Sequence, residues 1–168
     1  MNQYFLKKEC KELHAFPHII EFAVKKVSAI QFDSFKQEVS EHLRFYYVID
    51  GRFVWMIDGQ PYILYPGDLA VILPGKSFGG EKDLLDIGSI SWMHLKLQQF
   101  ESSGKMSMGK WSRFTDRECR MIGRIFLLNN CPVLSKGKEA GTVLQNIHSE
   151  FLNQETVHNV RINLMIED

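Results

Sequence analysis

The chain has 168 residues, 45% hydrophobic and 24% charged, with 20 basic residues balanced by 20 acidic ones. Length and composition fit one globular domain with its own core and exclude a disordered or low-complexity chain. A formal net charge of zero argues against direct contact with nucleic-acid phosphates.

Residues 1–17 carry Lys7, Lys8, Glu9, Lys11 and Glu12 and no apolar signal core, so they read as an N-terminal arm. Glycines then punctuate the chain: Gly51, Gly59, Gly67 and Gly75 fall eight residues apart, with Asp58-Gly59, Pro66-Gly67 and Pro74-Gly75 as turn dipeptides. Between them Arg52–Ile57, Tyr62–Tyr65 and Leu69–Leu73 are rich in residues that fit a pleated, half-buried surface. Glu21–Phe32 and His42–Asp50 add strands upstream, and Ser89–Leu97 adds one downstream. Short strands at this spacing predict an antiparallel sandwich or barrel over residues 18–110, its end marked by the Ser/Gly-rich loop Glu101–Lys110.

The period then changes. Thr115-Asp116-Arg117-Glu118 fits a capping box, and Cys119, Ile122, Ile125, Phe126 and Asn129 continue it as an amphipathic helix ending near Asn130. A second helix runs from Lys138 to Leu152 with the stripe Ala140, Val143, Leu144, Ile147 and Phe151. The two make a helical hairpin over 111–156, and residues 157–168 open a further segment. Each stripe needs cover. Packing on the barrel meets that need, and so does a second subunit, with Ile122, Ile125, Phe126, Val143, Leu144 and Ile147 as the dimer interface.

The sequence holds no phosphate-binding glycine loop, and no H-x-H or H-E-x-x-H among the six histidines. Cys10, Cys119 and Cys131 form neither an even set nor a C-x-x-C pair, so no metal, no cofactor and a reducing, cytoplasmic setting are expected. No apolar run reaches the roughly 18 residues of a membrane span. Strand alternation puts Arg44, Tyr46, Val48 and Asp50 on one face, and Ile90, Trp92 and His94 on one face. If these faces point inward, Arg44, Tyr46, Asp50, Trp92 and His94 line a pocket for a small polar ligand. The opposite faces, Phe45, Tyr47 and Ile49 with Met93, Leu95 and Leu97, compete for the interior, and alternation does not choose between them.

The segment Arg44–Gly51, then Tyr62-Ile63-Leu64-Tyr65-Pro66-Gly67-Asp68-Leu69, then Leu73-Pro74-Gly75, resembles the cupin pattern. More closely, with Ser91-Trp92-Met93-His94-Leu95 as the late strand, it resembles the N-terminal ligand-binding domain of AraC-type transcription regulators. The resemblance covers about residues 18–97. It implies a mainly β fold, a cupin-like antiparallel jelly-roll barrel, followed by a helical hairpin that makes a homodimer. It also implies a small-molecule effector in the barrel, with a carbohydrate as the implied class, Trp92 as the pocket tryptophan, and the N-terminal arm near the ligand. DNA would be met only through a C-terminal domain absent from this chain, and Arg161–Glu167 would open the linker toward it. Asp50 stands where the arabinose sensor has an arginine, so arabinose itself is not implied. Metal-binding cupins place H-x-H where this chain has His42-Leu43-Arg44, and a histidine where it has Phe78, which again implies no metal. A stand-alone cupin enzyme using His94 as general base, and a ligand-free dimerisation module, are the alternatives.

Overall fold

The computed structural model describes residues 3–153 and 157–168. Among the described residues twelve strands and three α-helices follow in chain order. The strands are β1 (Tyr4–Lys7), β2 (Ile19–Val27), β3 (Glu38–Val39), β4 (Leu43–Gly51), β5 (Phe53–Ile57), β6 (Gln60–Leu64), β7 (Leu69–Ile72), β8 (Ser77–Gly80), β9 (Gly88–Leu95), β10 (Gln99–Phe100), β11 (Met106–Ser107) and β12 (Val133–Leu134). The helices are α1 (Asp116–Leu128), α2 (Lys138–Asn153) and α3 (His158–Glu167).

Among the described residues two facing antiparallel sheets make the body, a six-stranded sheet ordered β1-β2-β9-β4-β7-β12 and a four-stranded sheet ordered β3-β8-β5-β6, while β10 and β11 pair as a separate two-stranded sheet. The fold is therefore mainly β, a cupin-like jelly roll of two facing sheets followed by C-terminal helices. Tyr46, Val48, Ala70, Ile72 and Ile90 of the large sheet meet Phe53, Trp55, Ile57, Leu64 and Phe78 of the small one in a shared core. Each fully buried aliphatic or aromatic side chain there contributes roughly 1.5–3 kcal/mol. The face carrying Arg44, Tyr46, Trp92 and His94 is the inner one. Its competitor is the outer face, where Phe45, Tyr47, Met93 and Leu95 join a second core beneath the helices.

The predicted strands appear with trimmed ends. β2 stops at Val27 rather than Phe32, whose ring is exposed. The arm is more ordered than composition suggested, since β1 pairs with β2 along its whole length. Strand β8 escaped the sequence reading because Ser-Phe-Gly-Gly has little β-propensity. Its glycines serve close approach instead: a Cβ on Gly79 would stand 2.7 Å from the Gln37 Cα, and one on Gly80 would collide with the Leu84 carbonyl.

The capping box forms as predicted, with Thr115 Oγ1 accepting from Glu118 N and the Glu118 carboxylate accepting from Thr115 N. The helical hairpin needs correction. Its connecting segment is not a free loop, because Val133–Leu134 pairs with β7 as the edge of the large sheet. That pairing separates the destinations of the two helices: α1 packs on β11, whereas α2 packs on β4, β9 and α3. Leu144, Ile147 and Phe151 of α2 are buried against Phe22, Leu43, Met93 and Leu95, so Leu144 and Ile147 are core residues of one subunit rather than interface residues. Val143 is half-buried on the same core, and Ile122 and Phe126 pack over Met106, Met108 and Cys119. Of the six expected interface residues only Ile125 is exposed. The expected end of the hairpin at 154–156 lies outside the described residues.

Helix α3 also docks on the body. Ile162 is buried in the outer core, and Glu167 accepts from Ser112 Oγ at 2.8 Å and from Arg113 Nε at 3.0 Å. No helix among the described residues is long and apolar enough to cross a membrane.

Candidate functional site

Strand register assembles the site. In the row running across β1, β2, β9, β4 and β7, Lys7 faces Glu21, Glu21 faces His94, His94 faces Arg44 and Arg44 faces Ile72. The neighbouring row on the same face is Phe5, Ala23, Trp92, Tyr46 and Ala70. Directly opposed residues in antiparallel strands have Cβ atoms about 4.5–5.5 Å apart, so each row is a line of touching side chains. Ala23 and Ala70 are small, which leaves the indole of Trp92 and the phenol of Tyr46 space to turn toward the first row.

These side chains open into a cavity of about 990 Å³ between the sheets, lined by Arg44, Tyr46, Trp92 and His94 together with Glu21 and Trp55. The segment Asp33–Lys36 lines another wall, and Gln3, Tyr4 and Phe5 line the side next to β1. The Phe5 ring stands edge-on to Trp92 with centroids 6.0 Å apart, so the arm lies beside the pocket tryptophan. Asp50 is the exception among the five expected ligand contacts. A bulge between Val48 and Asp50 breaks the alternation, and Asp50 is exposed opposite Ser89, outside the cavity lining.

Two separate hydrogen bonds fix side chains of the site. His94 Nε2 and the Tyr46 hydroxyl are 2.9 Å apart, both groups buried. Trp92 Nε1 donates to Glu21 Oε1 at 2.6 Å. His94 Nδ1 lies 4.0 Å from the same Glu21 oxygen. Burial, with the Arg44 charge adding to it, lowers the His94 pKa from 6.5 to about 2, so the imidazole is neutral and makes no ion pair with Glu21. Burial also raises the Tyr46 pKa well above its ordinary value, keeping the hydroxyl protonated. Desolvation raises the Glu21 pKa, against the opposing pull of the Trp92 hydrogen bond and of the Lys7 and Arg44 charges.

Arg44 is fully engaged. Its guanidinium pairs with Glu38 at 2.9 Å, donates from Nε to Ser40 Oγ at 2.8 Å, and covers the Phe78 ring at 4.7 Å from the centroid. Arg44 and Phe78 thus contact each other as a cation–π pair. Among the described residues no three His, Cys, Asp or Glu side chains come together as a metal site.

The sequence reading missed Glu21 and Trp55. Glu21 was counted within a strand, and alternation with Phe22 and Val24 sets it on the other face from them. That face became meaningful only through pairing with β9. Trp55 comes from the opposite sheet, and its ring packs edge-on to Tyr46 at 4.9 Å.

Arranged this way, the cavity offers two aromatic walls, a neutral imidazole and a carboxylate, which suit non-covalent recognition of a small polar molecule.

No protein-family profile and no curated protein sequence matches the chain. Among solved structures it is similar to the plu4264 protein from Photorhabdus luminescens, with 14% identity, a TM-score of 0.42, and coverage of 56% of this chain and 73% of that one. It is also similar to a cupin 2 conserved barrel domain protein from Leptotrichia buccalis, at 14% identity and a TM-score of 0.39 over 56% of this chain and 41% of that one. An RmlC-like cupin from Shewanella frigidimarina is similar at 15% identity and a TM-score of 0.35, covering 49% of this chain and 69% of that one.

Proposed function

We propose that this chain is the effector-binding domain of a cytoplasmic transcription regulator of the AraC type, taking a small polar ligand, with a carbohydrate as the first class to test, between the two sheets. The observation that carries the binding reading is the inner-face row Glu21, His94 and Arg44 beside Trp92 and Tyr46, open to a cavity of about 990 Å³. An indole face covers the apolar C–H face of a sugar, and flanking polar groups replace the water its hydroxyls lose, each unpaired group otherwise costing about 1–3 kcal/mol.

Sensing is favoured over catalysis because His94, the obvious general base, is buried, has Nε2 engaged with Tyr46, and resists protonation. The regulator reading is supported by the order of parts, a jelly roll followed by helices, and by the motif resemblance over residues 18–97. A homodimer would use the outer side of α1, where Met121, Ile125 and Leu128 are 55%, 60% and 80% exposed at helical spacing.

Thermal-shift screening of sugars and related small polar compounds tests the binding claim. At a hundredfold excess over Kd a true ligand adds about 2.7 kcal/mol and raises the midpoint, and Trp92→Ala abolishes the rise. A screen without a hit, or a shift indifferent to Trp92→Ala, rejects the cavity as the site. Helix-turn-helix units encoded in frame with this segment would support the regulator assignment, and a reading frame without them would reject it.

A further inference from the structure

Glu21 is a cavity carboxylate that Lys7 and Arg44 influence from a distance without forming a direct ion pair. Arg44 is committed to Glu38 and Ser40, Lys25 donates to Gln31 at 3.2 Å, and Lys7, opposite Glu21 in the register, reaches over the Phe5 ring. His94 is neutral. Among the described residues Glu21 makes no ion pair with lysine or arginine, and its one hydrogen bond is the Trp92 N–H on Oε1. A partly buried carboxylate in this state favours a ligand that brings a positive charge with N–H donors.

The walls agree with that demand. Trp92 and Tyr46 have ring centroids 6.0 Å apart, and Phe5 stands edge-on to Trp92. Aromatic faces carry negative electrostatic potential and attract ammonium groups, most strongly on tryptophan. Trp55, from the facing sheet, closes the same cavity as a further apolar wall.

We propose that the ligand is an amine-substituted polyol, its ammonium group held between the Glu21 carboxylate and the Trp92 ring. The inference rests on the cavity being the effector site and narrows what enters it. A neutral polyol would donate to Glu21 but leave the carboxylate without a direct ion pair. A quaternary ammonium would bring the charge but no N–H to the free oxygen Oε2.

Calorimetric titration with matched pairs, D-glucosamine against D-glucose and D-galactosamine against D-galactose, with choline as a third arm, tests this. An amine should bind about tenfold or more tighter than its hydroxyl twin and tighter than choline, as expected for a charge-assisted contact. Glu21→Gln should bring each pair within about threefold of each other. The wild-type protein supplies a readout that does not depend on the variant folding: amine affinity should fall on acidification as Glu21 takes up a proton, while sugar affinity stays level. Equal affinities within the pairs, preference for choline, discrimination that survives Glu21→Gln, or a pH-independent amine affinity would overturn the proposal. Sugar binding lost in Trp92→Ala, with no preference for the amine, overturns this inference and leaves the effector site standing. A panel in which nothing binds at millimolar concentration overturns the inference and removes the sugar-like ligand class from the broader reading.

Discussion

The indole of Trp92 and the carboxylate of Glu21 are hydrogen-bonded at 2.6 Å although they are not register partners: Trp92 faces Ala23, and Glu21 faces His94. The bond is diagonal between β2 and β9, made possible by the missing bulk at Ala23. It turns the indole along the inner face of the sheet and leaves one carboxylate oxygen for a ligand.

Replacing Trp92 by Phe keeps an aromatic face and removes the N–H. The hydrogen bond is one of the influences that lower the Glu21 pKa against desolvation, so the Glu21 pKa should rise further in Trp92→Phe. Carboxyl titration by NMR reads this directly. An unchanged or lower pKa would show that the bond does not form in solution.

Acid stability should be governed by buried histidines. Burial lowers the His18 pKa from 6.5 to about 4, while its ring stacks on Trp111 at 3.9 Å. The unfolded chain therefore takes up the proton first. The His18 contribution is fully present above about pH 6.5 and is lost as pH falls toward 4, at up to about 1.4 kcal/mol per pH unit. His94 acts in the same direction down to about pH 2. Glu21, with its pKa raised, acts oppositely: its contribution is present at low pH and lost as pH rises through the raised value. Urea melts between about pH 7 and 4.5 should show stability falling with acidification, and His18→Phe should flatten the fall. A variant as acid-sensitive as the wild type would place the effect elsewhere.

Gly141 tests how closely α2 meets the sheet. A Cβ there would stand 2.7 Å from the Tyr47 hydroxyl and overlap its ring. Helix propensity favours Ala over Gly by about 1 kcal/mol, but overpacking against a fixed ring costs about 1–3 kcal/mol, so Gly141→Ala should be net destabilising. In a Tyr47→Ala background the same change should become neutral or stabilising. A double-mutant cycle from denaturant melts gives the coupling, and additive effects would mean that the ring moves aside without cost.

The two kinds of helix position should separate cleanly. Leu144→Ala removes a core side chain and should cost about 2–5 kcal/mol. Ile125→Glu alters an exposed position and should leave stability within about 0.5 kcal/mol in the monomer, while converting the proposed dimer to monomer in sedimentation. A wild-type protein already monomeric at tens of micromolar, or an Ile125→Glu protein that remains dimeric, would remove α1 as the interface.

Much of the architecture was legible in residue order because its causes are local. Eight-residue glycine spacing marks the turns around β5, β6 and β7, and Thr115 with Glu118 marks the start of α1, since turn and cap geometry depend on a few neighbouring residues. Alternation likewise grouped Arg44 with Tyr46 and Trp92 with His94. It could not say which face was inward, because the large sheet is covered on both sides, by the second sheet on one and by α2 and α3 on the other. Only tertiary packing decided that. The same packing made Leu144 and Ile147 core residues, drew Val133–Leu134 into the sheet, and sent Asp50 outward at a bulge. Glu21 and Trp55 became site residues through long-range pairing, whose register is set by what each face buries rather than by any signal in their own neighbourhoods.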